Sequence, residues 1–249
     1  MISTDDAIGT YTPKNPTEAT YTSGKYAARH PDWHVEDSPW RAAQILRLMR
    51  SNRLEPRTIC EVGCGAGEIL RQLQDKLNDE CALFGYDISP QAIRLAQGRA
   101  NKRLTFKLAD IREERDVYFD LLLVICTLEH LEDIYGFLRD IRERSEYKIF
   151  QIPLELSVWA ALRRGALEAS WRHGHRHFFT KEILFHILKD GDYDVLDYFY
   201  AGLGPQRPGR SLAGKLHGLA RRVLFATFAT NEDLAARVFG RNSIVILAR

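Results

Sequence analysis

CEVGCGAGEIL, residues Cys60–Leu70, joins an apolar run to an amphipathic one through glycines at 63, 65 and 67. The residues before it, TICEV (58–62), read as a short buried strand. Those after it, GEILRQLQDKL, carry apolar side chains at helical spacing. In a doubly wound sheet, ligands sit beyond the carboxyl ends of the strands, at such a strand-to-helix turn. Glycine lets the backbone turn sharply there and come close to the ligand. The stretch therefore predicts an α/β fold with a nucleotide-like ligand at this turn.

Working outward, strands and helices alternate. ALFGYD (82–87), LTFKLAD (104–110), FDLLLVIC (119–126) and YKIFQIP (147–153) read as strands. The unbroken apolar run in FDLLLVIC predicts burial on both faces. Between them, SPQAIRLAQGRA and LEDIYGFLRDIRER read as helices, the first opened by Ser89 and Pro90. Upstream, Ser38 is expected to cap a helix over WRAAQILRLMRSNR, with Pro39 in its first turn. Such alternation implies a parallel sheet with right-handed crossovers. Past Pro153, FTKEILFHILKDG (179–191) reads as a helix ended by Gly191. YDVLDYFYA (193–201) and SIVILAR (243–249) read as two further strands. The expectation is one domain over 1–249, with a helical lead-in (1–55), a ligand-binding core (56–153) and an acceptor-side region (154–249). That last region contains an insertion, 202–242, before the final strand.

Composition sets limits. The chain has 249 residues, 45% of them hydrophobic and 27% charged, as expected of a soluble globular protein. A formal net charge of +2 argues against a dedicated nucleic-acid binder. Cys60, Cys64, Cys81 and Cys126 form no CxxC pair and fall in predicted core elements, the pattern of reduced thiols in a cytoplasmic protein. The opening residues, MISTDDAIGTYTPKNP, show neither the basic nor the apolar region of a signal peptide. The longest apolar run, Leu121–Cys126, is too short to span a bilayer.

The acids around the glycine turn narrow the ligand. A dinucleotide fingerprint is GxGxxG, with pyrophosphate on the helix N-terminus. Here the spacing is GxGxG, and Glu68 occupies the third dinucleotide glycine position. Glu61 precedes the loop. Two carboxylates would repel a pyrophosphate and suit a ligand that carries positive charge. Asp87 ends the second strand, where a carboxylate accepts bonds from ribose hydroxyls. Asp110 ends the third strand, placed to accept from an adenine amino group beside the backbone N–H of Ile111. These acids describe an adenosine bearing a cation.

EVGCGAG, GYDIS, LADIRE and FDLLLVICTLEHLED resemble, in order and spacing, the successive motifs of class I S-adenosylmethionine-dependent methyltransferases, of the bacterial small-molecule and glycan-tailoring type. The resemblance covers about residues 40–153, and more loosely the late helix and strands. It implies a Rossmann-like seven-stranded sheet with an antiparallel last strand, and S-adenosylmethionine as cofactor, leaving as S-adenosylhomocysteine. It implies that the loop Glu61, Gly63, Cys64, Gly65 and Gly67 approaches the methionine part. Asp87 and Ile88 would border the ribose, Asp110 and Ile111 the adenine, and Cys126 and Thr127 the sulfonium.

Methyl transfer from a sulfonium is an in-line displacement, so placing the nucleophile does much of the work. A hydroxyl acceptor usually also needs a base near neutral pKa, and histidine suits. His130, just past the fourth strand, is the first candidate. His175 and His177, in WRHGHRHFF (171–179), are the others. In a strand, His173, His175 and His177 would share a face and could bind a metal. Gly174 loosens that spacing and no further ligand set is evident, so no metal is expected. Tyr11, Tyr21, Tyr26, Trp33 and Trp40 are candidates for a lid over the crevice.

Residues 202–249 carry eight Lys/Arg against two Asp/Glu. Within them, 210–230 place Leu212, Leu216, Leu219 and Val223 on one helical face. Packing on its own domain, a dimer interface and contact with an anionic membrane surface are the readings left open. The sequence thus predicts a cytoplasmic enzyme that methylates a small-molecule or glycan-type acceptor, at oxygen in the first reading. The alternatives are an N-methyltransferase of a small amine and a binding module without turnover. A nucleic-acid acceptor is not expected, since CTLEH stands where (D/N)PP(Y/F) would follow the fourth strand.

Overall fold

The computed structural model describes residues 9–163, 165–202, 231–240 and 242–249. The basic stretch 210–230 lies outside them, and so do the membrane and dimer readings attached to it.

The glycine turn follows strand β1 (Thr58–Val62) and opens helix α4 (Glu68–Gln74). Upstream lie α1 (Pro16–Thr22), α2 (Lys25–Arg29) and α3 (Ser38–Ser51). The core continues with β2 (Ala82–Asp87), α5 (Pro90–Gln97), β3 (Leu104–Leu108), β4 (Phe119–Ile125), α6 (Ile134–Arg142) and β5 (Ser145–Leu154). Then come α7 (Val158–Leu162), α8 (Ala166–Arg172), α9 (Lys181–Asp190), β6 (Val195–Ala201), α10 (Glu232–Phe239) and β7 (Asn242–Ala248).

Among the described residues the strands form one seven-stranded sheet in the order β3-β2-β1-β4-β5-β7-β6. Every pair is parallel except those of β7, which runs antiparallel to both β5 and β6. The order reverses between β1 and β4, so the crevice opens where the glycine turn stands.

Strand alternation divides the interior into two cores. Leu122 and Val124 of β4 face one layer, with Phe137, Leu138 and Ile141 of α6 and Leu184 and Leu188 of α9. Leu121, Leu123 and Ile125 face the other, with Ile45 and Leu48 of α3, Leu70 and Leu73 of α4 and Ile93 of α5. Both faces of β4 are covered, which is why its sequence reads as a continuous apolar run. Truncating a fully buried Leu such as Leu122 to Ala would cost about 2–5 kcal/mol.

Two start signals behave differently. Ser89 caps α5, its side chain accepting from the N–H of Ala92. Ser38, expected as a cap, is instead the first residue of α3 and buried. A 3-10 turn over Val35–Asp37 runs straight into the helix and puts Asp37 at the capping position, without a side-chain bond.

Candidate active site

Three backbone N–H groups tie the loop between β1 and α4 to the end of β2. Gly63 and Cys64 donate to the Tyr86 carbonyl at 2.8 and 3.0 Å, and Gly65 donates to Asp87 Oδ2 at 2.8 Å. Gly63 has φ +73°, and a Cβ there would lie 2.8 Å from Thr127 Oγ1. Gly67 has φ +76°, and a Cβ would meet the Phe106 ring at 2.3 Å. The turn therefore needs glycine for conformation and for space.

Asp87 is buried, and each carboxylate oxygen accepts one backbone N–H: Oδ2 from Gly65, Oδ1 from Ser89 at 2.8 Å. Burial nevertheless pushes its carboxyl up to about 6. Asp110 is engaged differently. Arg112 reaches its Oδ2 at 2.6 Å through Nη2, and Lys14 reaches it at 3.2 Å. Burial opposes ionisation, but these cations and the Arg112 N–H hold the carboxyl below the usual range.

The two acids of the loop are unlike. Glu68 is neutralised by Arg71 and Arg99, each at 2.7 Å, so it presents no bare charge to a ligand. The sequence argument that two carboxylates repel a pyrophosphate thus rests on one. That one is Glu61, only 1% exposed, whose Oε2 has no hydrogen-bond partner among the described residues. Burial, partly offset by Arg41, pushes its carboxyl up to about 8.

These groups surround a cavity of about 320 Å³ lined by Glu61, Gly63, Cys64, Gly65, Asp87 and Ile88. Asp110, Ile111, Cys126, Thr127 and His130 line it too. Cys126 adopts φ +51° at the end of β4, a region that non-glycine residues enter at a cost. Of the expected lid residues, Tyr21, Tyr26 and Trp33 line the cavity. The Trp33 ring lies over Gly65, 3.5 Å from where a Cβ would stand, and its buried Nε1 has no partner among the described residues. Tyr11 instead bonds Glu18, and Trp40 packs against the core under α3.

Beyond β4 lies a second polar group. His130 Nδ1 is 2.8 Å from Tyr21 Oη, and its ring meets that of His175 edge-on at 4.8 Å between centroids. His175 Nδ1 is 2.7 Å from Glu155 Oε2. Glu129 is 1% exposed, and its Oε2 has no partner among the described residues. Burial pushes the Glu129 carboxyl up to about 7, and burial together with His175 pushes His130 down to about 3. The other two histidines of the alternating set turn away. His177 bonds the Leu131 carbonyl through Nε2, and His173 bonds the Ala169 carbonyl at the end of α8. The segment is not a strand, so the three do not share a face. A second cavity of about 330 Å³, lined by Glu155, Trp159, Leu167, His175 and Phe239, adjoins this group.

Sequence reasoning missed Arg41, Tyr21 as a partner of His130, and Glu155. Arg41 is a helical arginine on α3 like its neighbours in sequence. Only the fold brings it to the cavity.

Residues 55–150 match the model of a methyltransferase domain. That stretch, less than half of the chain, is similar to a methyltransferase domain. The chain's order of strands, with the last one antiparallel, is the fold of magnesium protoporphyrin IX methyltransferase from Synechocystis, solved with S-adenosylhomocysteine. That likeness has TM-score 0.59 at 14% identity, over 93% of this chain and 96% of that one. The methyltransferase fold of N-methyltransferase NodS from Bradyrhizobium japonicum, also solved with S-adenosylhomocysteine, matches at TM-score 0.56 and 18% identity. There 94% of this chain and 98% of that one are covered. In sequence, the domain is 33% identical over 94 residues to ajmaline N-methyltransferase of Rauvolfia serpentina, covering 35% of this chain. The match spans about a third of that relative's length. Among the described residues, no helix is long and apolar enough to cross a membrane.

Proposed function

We propose that the chain transfers a methyl group from S-adenosylmethionine to a small-molecule acceptor. The observation that carries the reading is Glu61: a buried carboxylate oxygen without a partner, at the end of β1, facing a cavity floored by glycines. Burial holds this carboxyl protonated up to about 8 because an unpaired buried charge is costly, and a cationic ligand pairs with the ionised form and relieves that cost. The residues present therefore fit the cofactor. Glu61 would take the methionine ammonium and Arg41 its carboxylate. Asp87 keeps acceptor capacity on both oxygens for ribose hydroxyls. The Asp110 side chain is occupied by Arg112, which leaves Ile111 and its backbone to border the adenine. Trp33, over Gly65, excludes water. When bound, the cofactor supplies a sulfonium methyl already activated for displacement.

The acceptor enters, in this reading, through the cavity lined by Trp159, Leu167 and Phe239, whose apolar walls suit a small organic molecule. Its nucleophilic atom meets Tyr21, Glu129, His130 and His175. His130, held near 3, is a poor base at neutral pH. An amine acceptor needs no strong base, and the similarity to N-methyltransferases favours nitrogen. A glycan hydroxyl is the narrower second reading, motivated by the Trp/Arg/His-rich stretch 171–177, of which His173 and His175 line the second cavity.

The test is methyl transfer from labelled S-adenosylmethionine to a panel of amines, phenols and nucleotide sugars, with calorimetry of cofactor binding alongside. Saturable binding, lost in Glu61→Ala, with turnover on a small molecule supports the proposal. Absence of binding by the intact chain overturns it.

A further inference from the structure

The group beyond β4 has an arrangement that methyl transfer to an amine does not require. Ligand atoms of Glu129, His130 and His175 all lie within 4.8 Å of one another. We infer that these three residues form a binding site for a divalent transition-metal ion at the acceptor end of the cavity.

Four observations carry this. The first is the unpartnered Oε2 of Glu129, almost wholly buried, which calls for a cation. Protonated His175 is not free to be that cation alone, because its Nδ1 already meets Glu155.

The second is the donor set. Two imidazoles and one carboxylate suit zinc, cobalt, nickel or ferrous iron rather than magnesium or calcium.

The third is the shell behind it. Both histidines are held through Nδ1, His175 by Glu155 and His130 by Tyr21 Oη, which directs each Nε2 away from those partners. Glu155 is held in turn by Ser170 Oγ at 2.5 Å. Metal-bound histidines are oriented by such carboxylate and hydroxyl partners.

The fourth is access. His130 lines the cavity at the glycine turn and His175 lines the second cavity, so the two imidazoles can be reached from both sides.

Tetrahedral zinc at about 2.0–2.1 Å sets its ligands about 3.4 Å apart, so the three side chains draw in by roughly 1 Å on binding. Arg41 also faces Glu129 and tempers the charge. The net charge of the site with one divalent ion stays modest because Glu129 and Glu155 stand beside it.

Spacing along the chain hid this site. The alternating histidines suggested ligands at 173, 175 and 177, and only His175 belongs. The other two ligands come from the loop after β4. Metal binding itself does not depend on the methyltransferase reading. The role of the ion, holding a nitrogen or oxygen of the acceptor, does rest on it.

The experiment uses the untagged full chain, stripped with a chelator, without S-adenosylmethionine. It is titrated with Co²⁺ by absorbance and with Zn²⁺ by calorimetry. The expected result is one ion per chain with a visible d–d spectrum. Glu129→Gln and His175→Ala should each weaken binding by about 10-fold or more. His186→Ala, on the exposed side of α9, should not. Because His175→Ala risks misfolding, Glu155→Gln serves as the second variant, predicted to weaken Co²⁺ less than loss of a ligand. Absence of stoichiometric Co²⁺ binding by the wild-type chain overturns the proposal. So does binding unchanged in both Glu129→Gln and Glu155→Gln. A stripped chain that binds S-adenosylmethionine but no metal would reject this inference and leave the proposed function standing.

Discussion

Tyr21 Oη and His130 Nδ1 stand 2.8 Å apart, although 109 positions separate them in the chain. One belongs to α1, the other to the loop after β4. The bond fastens the lead-in segment to the wall of the cavity.

Cutting that bond should loosen the cover over the cofactor. Tyr21→Phe removes the hydroxyl and keeps the ring. A hydrogen bond worth about 1 kcal/mol corresponds to roughly a 5-fold change. S-adenosylhomocysteine should therefore dissociate roughly 5-fold faster, measured by stopped-flow on Trp fluorescence. An unchanged rate would show that Trp33 holds the cover without Tyr21.

Asp87→Asn tests the two-loop clamp. An amide must point a donor at either the Gly65 or the Ser89 N–H, both of which donate to the carboxylate. The expected cost is about 1–3 kcal/mol of stability, read from urea unfolding. Cofactor affinity should fall about 10-fold or more for a loss near 1.4 kcal/mol. A variant as stable as wild type that still binds the cofactor normally would contradict the clamp.

The pH dependence of stability reports Glu61. Its carboxyl is raised from 4.5 to about 8 by burial. Between those values the folded chain holds a proton that the unfolded chain has released. This group's contribution is thus fully present below the unfolded value and is lost as pH rises through about 8. Relative to Glu61→Gln, the wild type should lose on the order of a few kcal/mol across that window. S-adenosylmethionine, pairing with the ionised form, should bind more tightly as pH rises toward 8, and the Gln variant should show no such rise. Parallel profiles for the two proteins would remove Glu61 from the account.

Gly67→Ala should destabilise by about 1–3 kcal/mol or more, from positive φ and from the clash with Phe106. Placing it in a Phe106→Leu background should recover the steric part and leave the conformational part. Strictly additive costs for the two substitutions would mean that the ring is not what the new methyl meets.

The fold was largely legible because its signals are local. TICEV, ALFGYD and FDLLLVI each carry a parallel strand's apolar run, and each is followed by a turn residue that the structure uses. Asp87 and Gly67 stood out for the same reason: their roles are fixed by the strand end and the turn they occupy. Partnerships across the chain were not legible. Nothing in LADIRE says that Arg112 folds back onto Asp110, or that Lys14 joins it from the lead-in. Glu68 looked like a bare charge because Arg99, which neutralises it, lies on the far side of β2 in sequence. His175 finds Glu155, 20 positions away, because β5 ends beside the turn after α8.

β7 lies between β5 and β6, and residues 242–248 pair on both sides. On the ribosome β6 therefore has no partner among the described strands until those last residues emerge. Its exposed edge, with Tyr198 and Leu196 uncovered, is a site for association with other nascent chains during that delay. The half of the sheet that bears the glycine turn has every partner it needs much earlier, so the domain is expected to be born in two stages, donor side first.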